Sequence, residues 1–405
     1  MTTTAIPIAF PVLRLKKNEE RRLRAGHLWV FSNEIDIAAT PLKGLVPGVQ
    51  VNIQDSRGKP LGTAFANPNA LICARLYSRD ADRQFDESLI VHRLNVALSL
   101  RQKMYAEPYY RLVYGDSDGL SGLVVDRYGD ILVVQIATAG MESLRDQVFA
   151  ALIRVIKPQG ILMRNDSGVR AFEQLPEEIA VVYGEVPDIV ELIENGVRFG
   201  APVKEGQKTG WFYDHRDNRA RLMAMAKGAR VLDVFSYVGG WGVQAAVGGA
   251  KEVLCVDSSA LALAQVAGNA GRNGVADRVK TRQGDAFDVM KTLHDEGERF
   301  DIVVIDPPAF IKRRKDLDTG TAAYRKLNDL AIRLLARDGY LVSASCSMHL
   351  EKAALLDILR ASGRHLDRNV QVLAQGGQGA DHPVIPAIPE TDYLKAFFAR
   401  VTPTQ

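Results

Sequence analysis

Only three cysteines occur in 405 residues, Cys73, Cys255 and Cys346, and neither their number nor their spacing suits a disulfide scaffold or a zinc site. A reducing, cytoplasmic compartment is therefore expected. No run reaches the roughly 18 apolar residues of a membrane span, and Met1 to Pro11 lacks a basic segment followed by a long apolar core. A soluble, unprocessed protein with no membrane partner is the expectation. Charge excess is small, a formal net of +3, so any nucleic-acid contact must come from local clusters. Internal repeats, low-complexity tracts and the G-x-G-x-x-G dinucleotide signature are all missing. What remains is 47% hydrophobic and 24% charged, an ordinary globular composition long enough for two or three domains.

From Val12 to Tyr77 short β-like runs alternate with Gly and Pro, which predicts a small β-barrel: Leu28–Phe31, Gly48–Ile53, Leu61–Phe65 and Leu71–Leu76. A polar segment, Ser78 to Glu87, leads into a helix over Ser88–Met104. Gly122–Asp130 and Ile131–Ile136 read as a hairpin about Tyr128-Gly129-Asp130. A helix over Met141–Ile156 and strands near Gly160–Asn165 and Ile179–Tyr183 complete a strand-strand-helix-strand-strand unit. Asn195-Gly196 between alternating runs signals a second hairpin over Val190–Phe199. Beyond Arg230, strands at Val231–Phe235, Glu252–Asp257, Val279–Gln283, Asp301–Asp306, Gly339–Ser345, Val370–Leu373 and Lys395–Arg400 alternate with helices such as Ser259–Asn273. Such alternation predicts an α/β domain with a mostly parallel sheet. The domains expected are a β-barrel at 1–80, an α+β middle domain at 81–187, and a hairpin with the α/β domain at 188–405.

In open α/β sheets the strand carboxyl ends border the ligand crevice. Asp233, Asp257 and Asp285 follow three successive strands, and the first opens a turn, Phe235-Ser236-Tyr237-Val238-Gly239, that runs into a helix. An acid inside that turn repels phosphate but suits an amine-bearing cation such as the methionyl part of S-adenosylmethionine. Asp257, with Ser258, is placed for ribose hydroxyls, and Asp285, with Ala286, for an adenine amine. Any one acid alone is as readily a helix cap. Further along, Asp306-Pro307-Pro308-Ala309-Phe310 and Ser345-Cys346-Ser347 bring a carboxylate, a rigid turn and a thiol to the ends of neighbouring strands.

These motifs, with Lys208-Thr209-Gly210 and Asp214-His215-Arg216, resemble the S-adenosylmethionine-dependent ribosomal RNA methyltransferases that carry an N-terminal PUA domain, in particular the type forming 5-methylcytosine in 23S rRNA. The resemblance extends over the whole chain, to the tail Asp381-His382-Pro383 and Tyr393-Leu394-Lys395. It implies a Rossmann-like class I methyltransferase sheet behind a PUA-like barrel, with S-adenosylmethionine as cofactor. Phe212, Asp214 and Arg216 would then line the cofactor pocket with Asp233, Phe235, Tyr237, Gly239, Asp257, Ser258, Asp285, Ala286 and Asp306.

Cytosine carbon 5 is a poor nucleophile, so its methylation begins by adding a thiolate to carbon 6. Cys346 is the candidate nucleophile. It ends its strand between serines and precedes Met348-His349, read as a helix start that would stabilise a thiolate. Asp306 is the candidate partner of ring nitrogen N3, with carbonyls around Pro307 and Pro308 for the exocyclic amine and Phe310 beside them. Many 5-methylcytosine RNA enzymes carry a second cysteine after this motif; here Ala309 stands there. Asp-Pro-Pro also resembles motifs of nitrogen-methylating enzymes, so a guanine N-methyltransferase, or an inactive RNA-binding protein, stays open. Expected RNA contacts are Lys312 and Arg313 of the run Lys312–Lys315, which could clamp phosphates beside a flipped base. The cluster Arg14, Lys16, Lys17, Arg21, Arg22 and Arg24, with Trp29 or Phe31 stacking a base, is a second candidate. The expected partner is RNA, 23S rRNA or a large-subunit assembly intermediate, and the oligomeric state is open, a homodimer included.

Overall fold

The computed structural model describes residues 10–404, so most of the expectation about Met1 to Pro11 lies outside the described residues. Two compact units result. The first holds the chain through Val190 with Pro202–Trp211 and Ala380–Thr391; the second holds Glu191–Ala201, Phe212–Gly379 and the chain from Asp392.

In the first unit, strands Val12–Arg14, Val49–Gln54, Pro60–Ala66, Ile72–Ser78 and Trp29–Phe31 form one five-stranded sheet in that spatial order. Leu13, Leu15, Val30, Val51, Ile53 and Ala74 bury its inner face. A second five-stranded sheet runs Glu178–Gly184, Gly160–Asn165, Ile131–Ile136, Leu123–Tyr128, Tyr109–Tyr114. The Tyr109–Tyr114 strand is one more than the sequence pattern predicts. Arg111 interrupts its apolar run, and its guanidinium donates two 2.9 Å bonds to the buried Asp126 of the next strand. Helices Glu87–Met104, capped by Asp86, and Arg145–Ile156 belong with this sheet, and Phe65, Tyr77 and Phe85 pack ring to ring within the same core.

The hairpin forms as predicted between Ile189–Glu194 and Val197–Pro202. Asn195 and Gly196 both take positive φ, 54° and 78°, which matches a two-residue turn to strand twist.

The second unit is built on seven strands: β1 (Arg230–Val234), β2 (Glu252–Asp257), β3 (Val279–Gln283), β4 (Phe300–Ile305), β5 (Leu335–Ser345), β6 (Arg368–Gly376) and β7 (Lys395–Pro403). Their order is β3-β2-β1-β4-β5-β7-β6; the first five are parallel and β7 runs antiparallel to both neighbours. β1 and β4 are near-continuous apolar runs because helices cover both faces. Leu232, Val234, Val303, Ile305 and Leu341 are at most 1% exposed, and each such side chain contributes about 1.5–3 kcal/mol. The order reverses between β1 and β4, which opens a crevice at the carboxyl ends of those strands.

Candidate active site

β1 ends in a turn that is strained by its neighbours. Phe235, Tyr237 and Gly239 adopt φ of 66°, 48° and 85°, a left-handed conformation that bulky side chains rarely take. Three bonds enforce it: Ser236 N donates to Val256 O at 3.0 Å, Tyr237 N to Asp257 Oδ2 at 2.9 Å, and Asn269 Nδ2 to Val238 O at 2.9 Å. The helix Gly240–Val247 then begins, and Gly242 N donates to Asp233 Oδ2 at 2.8 Å. A Cβ on Gly242 would lie 2.5 Å from Cys255 Sγ, so only glycine fits. Asp233 is fully buried. Its carboxyl is pushed up to about 7, chiefly by burial and further by the charges of Asp306 and Asp257. Its Oδ1 and the Ser236 hydroxyl have no hydrogen-bond partner among the described residues. A buried, unmatched acceptor beside a distorted backbone cradle fits a ligand bearing a positive amine.

Before β1, Tyr213–His215 forms a single 3-10 turn that runs into the helix Arg216–Met225. Arg219 holds this segment: it donates to both oxygens of buried Glu194, at 2.6 and 2.9 Å, and to Phe212 O. The Phe212 ring meets the Tyr237 ring edge-on, centroids 5.6 Å apart. The Arg216 guanidinium lies 5.4 Å from the Tyr213 ring centre. Asp214 is buried, accepting from the Tyr393 hydroxyl through Oδ2 and from Gly379 N through its carbonyl.

His215 is the residue the sequence reading left without a role, although it stands in the middle of Asp214-His215-Arg216. Its Nε2 is 3.2 Å from Asp306 Oδ1, while Trp241 Nε1 donates to Asp306 Oδ2 at 3.0 Å. The Asn218 amide, which also donates to Gly377 O at 2.9 Å, sits 3.1 Å from His215 Nδ1. An amide donating into Nδ1 assigns the proton to Nε2, facing Asp306. Burial alone would raise the Asp306 carboxyl, but the His215 charge and the bonds from His215 and Trp241 hold it below its ordinary value. Burial likewise would lower His215, and the neighbouring Asp306 charge and hydrogen bond lift it above the usual histidine range. Asp306 is thus an ionised acceptor, and the proton of the pair is carried by the imidazole.

Asp306 follows β4 directly. Pro307 is buried and Pro308 exposed, and Phe310 packs 4.8 Å from the Tyr324 ring. The segment returns to the end of β5, where Ile311 N meets Ser347 Oγ at 3.3 Å. Ser345 and Ser347 flank Cys346 and are both bonded to the Tyr324 hydroxyl, at 2.9 and 2.8 Å. Cys346 is partly exposed, whereas Cys73 and Cys255 are buried. Burial pushes the Cys73 thiol up to about 12 and the Cys255 thiol well above its ordinary range. The helix expected to start at Met348-His349 instead starts at Lys352, and 348–349 is a turn. Lys395, at the start of β7, is the cation found there: it is 5% exposed and donates to Ser347 O at 2.6 Å.

Asp257 lies at the end of β2, its Oδ1 accepting from Ser259 N at 2.9 Å, and Ser258 is exposed beside it. Asp285 is exposed and caps the helix Ala286–Asp295, accepting from Phe287 N and Asp288 N. Its cap role is realised, and it stands at the crevice end of β3. Lys312 and Arg313 are exposed, Arg313 pairing with Asp316 at 3.2 Å. In the first unit, much of the basic cluster is engaged internally: Arg22 pairs with Glu34 and Arg24 with Asp55, both at 2.7 Å. Trp29 donates to Asp116 at 3.0 Å and lies against Arg75, and Phe31 lies against Arg22. A guanidinium thus lies against one face of each ring. Among the described residues no group of His, Cys, Asp and Glu could hold a metal, and no helix is long and apolar enough to cross a membrane.

A parallel sheet with this strand order, a distorted turn after β1 and acids at successive strand ends define an S-adenosylmethionine-dependent methyltransferase. Residues 174–361 match the family of that description, and residues 13–79 match the PUA-like domain family. The chain is 37% identical over 395 residues to ribosomal RNA large subunit methyltransferase I of Erwinia tasmaniensis, covering 96% of this chain and 99% of that one. The protein of the same name from Tolumonas auensis is 37% identical over 394 residues, covering 95% and 98%. The crystal structure of SMU.776, complexed with SAH, superimposes with a TM-score of 0.83 at 22% identity, over 97% of this chain and 100% of that one, and shows the shared fold. The chain belongs to the ribosomal RNA large subunit methyltransferase I family.

Proposed function

We propose that this protein methylates carbon 5 of a cytosine in 23S rRNA, in the cytoplasm, through a covalent bond to Cys346. The observation that carries this reading is the placement of Asp306 and Cys346 at the carboxyl ends of adjacent parallel strands, paired at Ile305 and Ser343 and joined again at Ile311 and Ser347. S-adenosylmethionine supplies an electrophilic methyl group. The residues that would hold it are Phe212 and Tyr237 for the adenine face, Asp257 and Ser258 for the ribose, and Asp285 with Ala286 at the adenine edge. Asp233, Phe235, Gly239, Asp214 and Arg216 would cradle the methionyl end. Residues 1–80 would bind RNA, residues 81–187 form a middle domain, and residues 188–405 carry the catalysis.

The Cys346 sulfur forms a bond to carbon 6, and the ring electrons this displaces are taken up as N3 gains a proton. Asp306 would stand at N3 and hand on a proton that its carboxylate takes up from solvent, while the carbonyls around Pro307 and Pro308 receive the exocyclic amine. Carbon 5 then takes the methyl group. Loss of the carbon 5 proton to a base re-forms the double bond, the bond from sulfur to carbon 6 breaks, and N3 returns its proton. Pro307 and Phe310 would hold the base flat, and Lys312 and Arg313 the flanking phosphates.

The test is a 5-fluorocytosine-substituted 23S rRNA fragment incubated with enzyme and S-adenosylmethionine. Fluorine cannot leave as a proton, so a denaturant-resistant protein–RNA adduct is expected and should vanish with Cys346→Ala. Full methylation of ordinary transcript by Cys346→Ala would sink the reading and favour a ring-nitrogen target.

A further inference from the structure

The antiparallel course of β7 has a chemical consequence. Because β7 opposes β5, its first residue lies at the carboxyl end of the parallel strands, where Lys395 pairs in register with Ser345, next to Cys346. The ammonium is removed from solvent and held over the Ser345–Ser347 segment by its bond to the Ser347 carbonyl. A buried cation so placed does not serve folding at low cost, since desolvating it is unfavourable unless an anion accompanies it. We propose that Lys395 is a positioning residue that keeps Cys346 as a thiolate, the ammonium and the sulfur forming an ion pair at the mouth of the crevice.

The inference rests on Cys346 being the nucleophile and adds the source of its activation. The nearest helix downstream starts only at Lys352, and an adjacent cation is an established means of lowering a thiol toward neutral pH. The resting thiol releases its proton to solvent, the pair carries no net charge, and addition to carbon 6 then needs no separate base for the thiol. Burial lowers the Lys395 ammonium to about 8, while the charge of Cys346 raises it. The other charged groups bearing on it are Asp392, which raises it, and Lys352, which lowers it. The Tyr324 hydroxyl, bonded to Ser345 and Ser347, is pushed above its ordinary range, foremost by burial, and stays neutral over this interval.

Cys73 and Cys255 are fully buried, so alkylation of the native protein reads Cys346 by itself. The experiment is the pH dependence of iodoacetamide modification of Cys346, followed by intact mass, in the wild type, Lys395→Met and Lys395→Arg. A wild-type midpoint below the ordinary thiol value of about 8.5 is expected. The midpoint should rise by about one to three units in Lys395→Met and fall back in Lys395→Arg. An unshifted midpoint in a Lys395→Met protein that keeps its thermal stabilisation by S-adenosylmethionine overturns the proposal. A wild-type midpoint at or above about 8.5 overturns it without any variant. The fluorocytosine adduct separates the two ideas: adduct with an unshifted midpoint rejects the lysine alone, while no adduct in the wild type rejects the nucleophile itself.

Discussion

The crevice of the seven-stranded sheet and the basic strip of the N-terminal sheet both looked chemically equipped in the sequence, and they differ in what surrounds their polar groups. In the crevice, burial leaves charges incompletely matched: Asp233 keeps an unpartnered oxygen, His215 and Asp306 share one proton, and Lys395 is a desolvated cation. On the strip, Arg22, Arg24 and Trp29 are matched by Glu34, Asp55 and Asp116. Residue type alone does not mark a functional group. An unbalanced environment does, because it leaves free energy that a ligand or transition state can recover.

The sharpest way to break this contrast is Cys346→Ala, which should lower methyl transfer to a 23S rRNA transcript by at least about 10⁴-fold, with circular dichroism unchanged because the side chain is partly exposed. Asp306→Asn should cost roughly 10²-fold in kcat, measured by the same assay under saturating RNA. Asp233 gives a pH-dependent case. Its folded-state pKa is raised above its unfolded value, so the folded protein holds the proton more tightly and stability without cofactor falls as pH rises toward about 7. Asp233→Asn should remove that loss, on the order of 4 kcal/mol at most, and raise Tm at pH 8 without ligand. It should also abolish the wild-type tightening of S-adenosylmethionine binding between pH 6 and 8, about tenfold by calorimetry. An unchanged Tm would show Asp233 to be no more strained than its neighbours.

Smaller effects sharpen the other side. Replacing Lys312 and Arg313 together by Glu should flatten the salt dependence of RNA binding by a slope of about two. Trp29→Phe should change RNA affinity less than about twofold, since its ring is already engaged by Asp116 and Arg75. A loss of tenfold or more would restore it as a stacking platform.

Much of this was legible because strand ends announce themselves. Asp233, Asp257, Asp285, Asp306 and Cys346 each follow a short apolar run, and period and turn chemistry locate such junctions from local sequence. What was not legible is long-range. Lys395 lies 49 positions after Cys346 and reaches it only through the insertion of β7 beside β5. Trp29 meets Asp116 across 87 positions. His215 carried a signal in its motif, but its proton is placed by Asn218 and Asp306, which no local pattern reveals. The helix start expected at Met348-His349 failed because the chain turns once more before Glu351, where the backbone is still extended.

The insertion of β7 between β5 and β6 also bears on when the molecule becomes competent. β6 cannot pair with the rest of the sheet until a strand later in the chain than itself has threaded into the gap, and that strand brings Lys395 with it. Assembly from the first strand onward therefore leaves the sulfur unarmed until a late step. A nascent polypeptide that has not yet added this strand lacks both the pairing edge for β6 and the lysine beside Ser345.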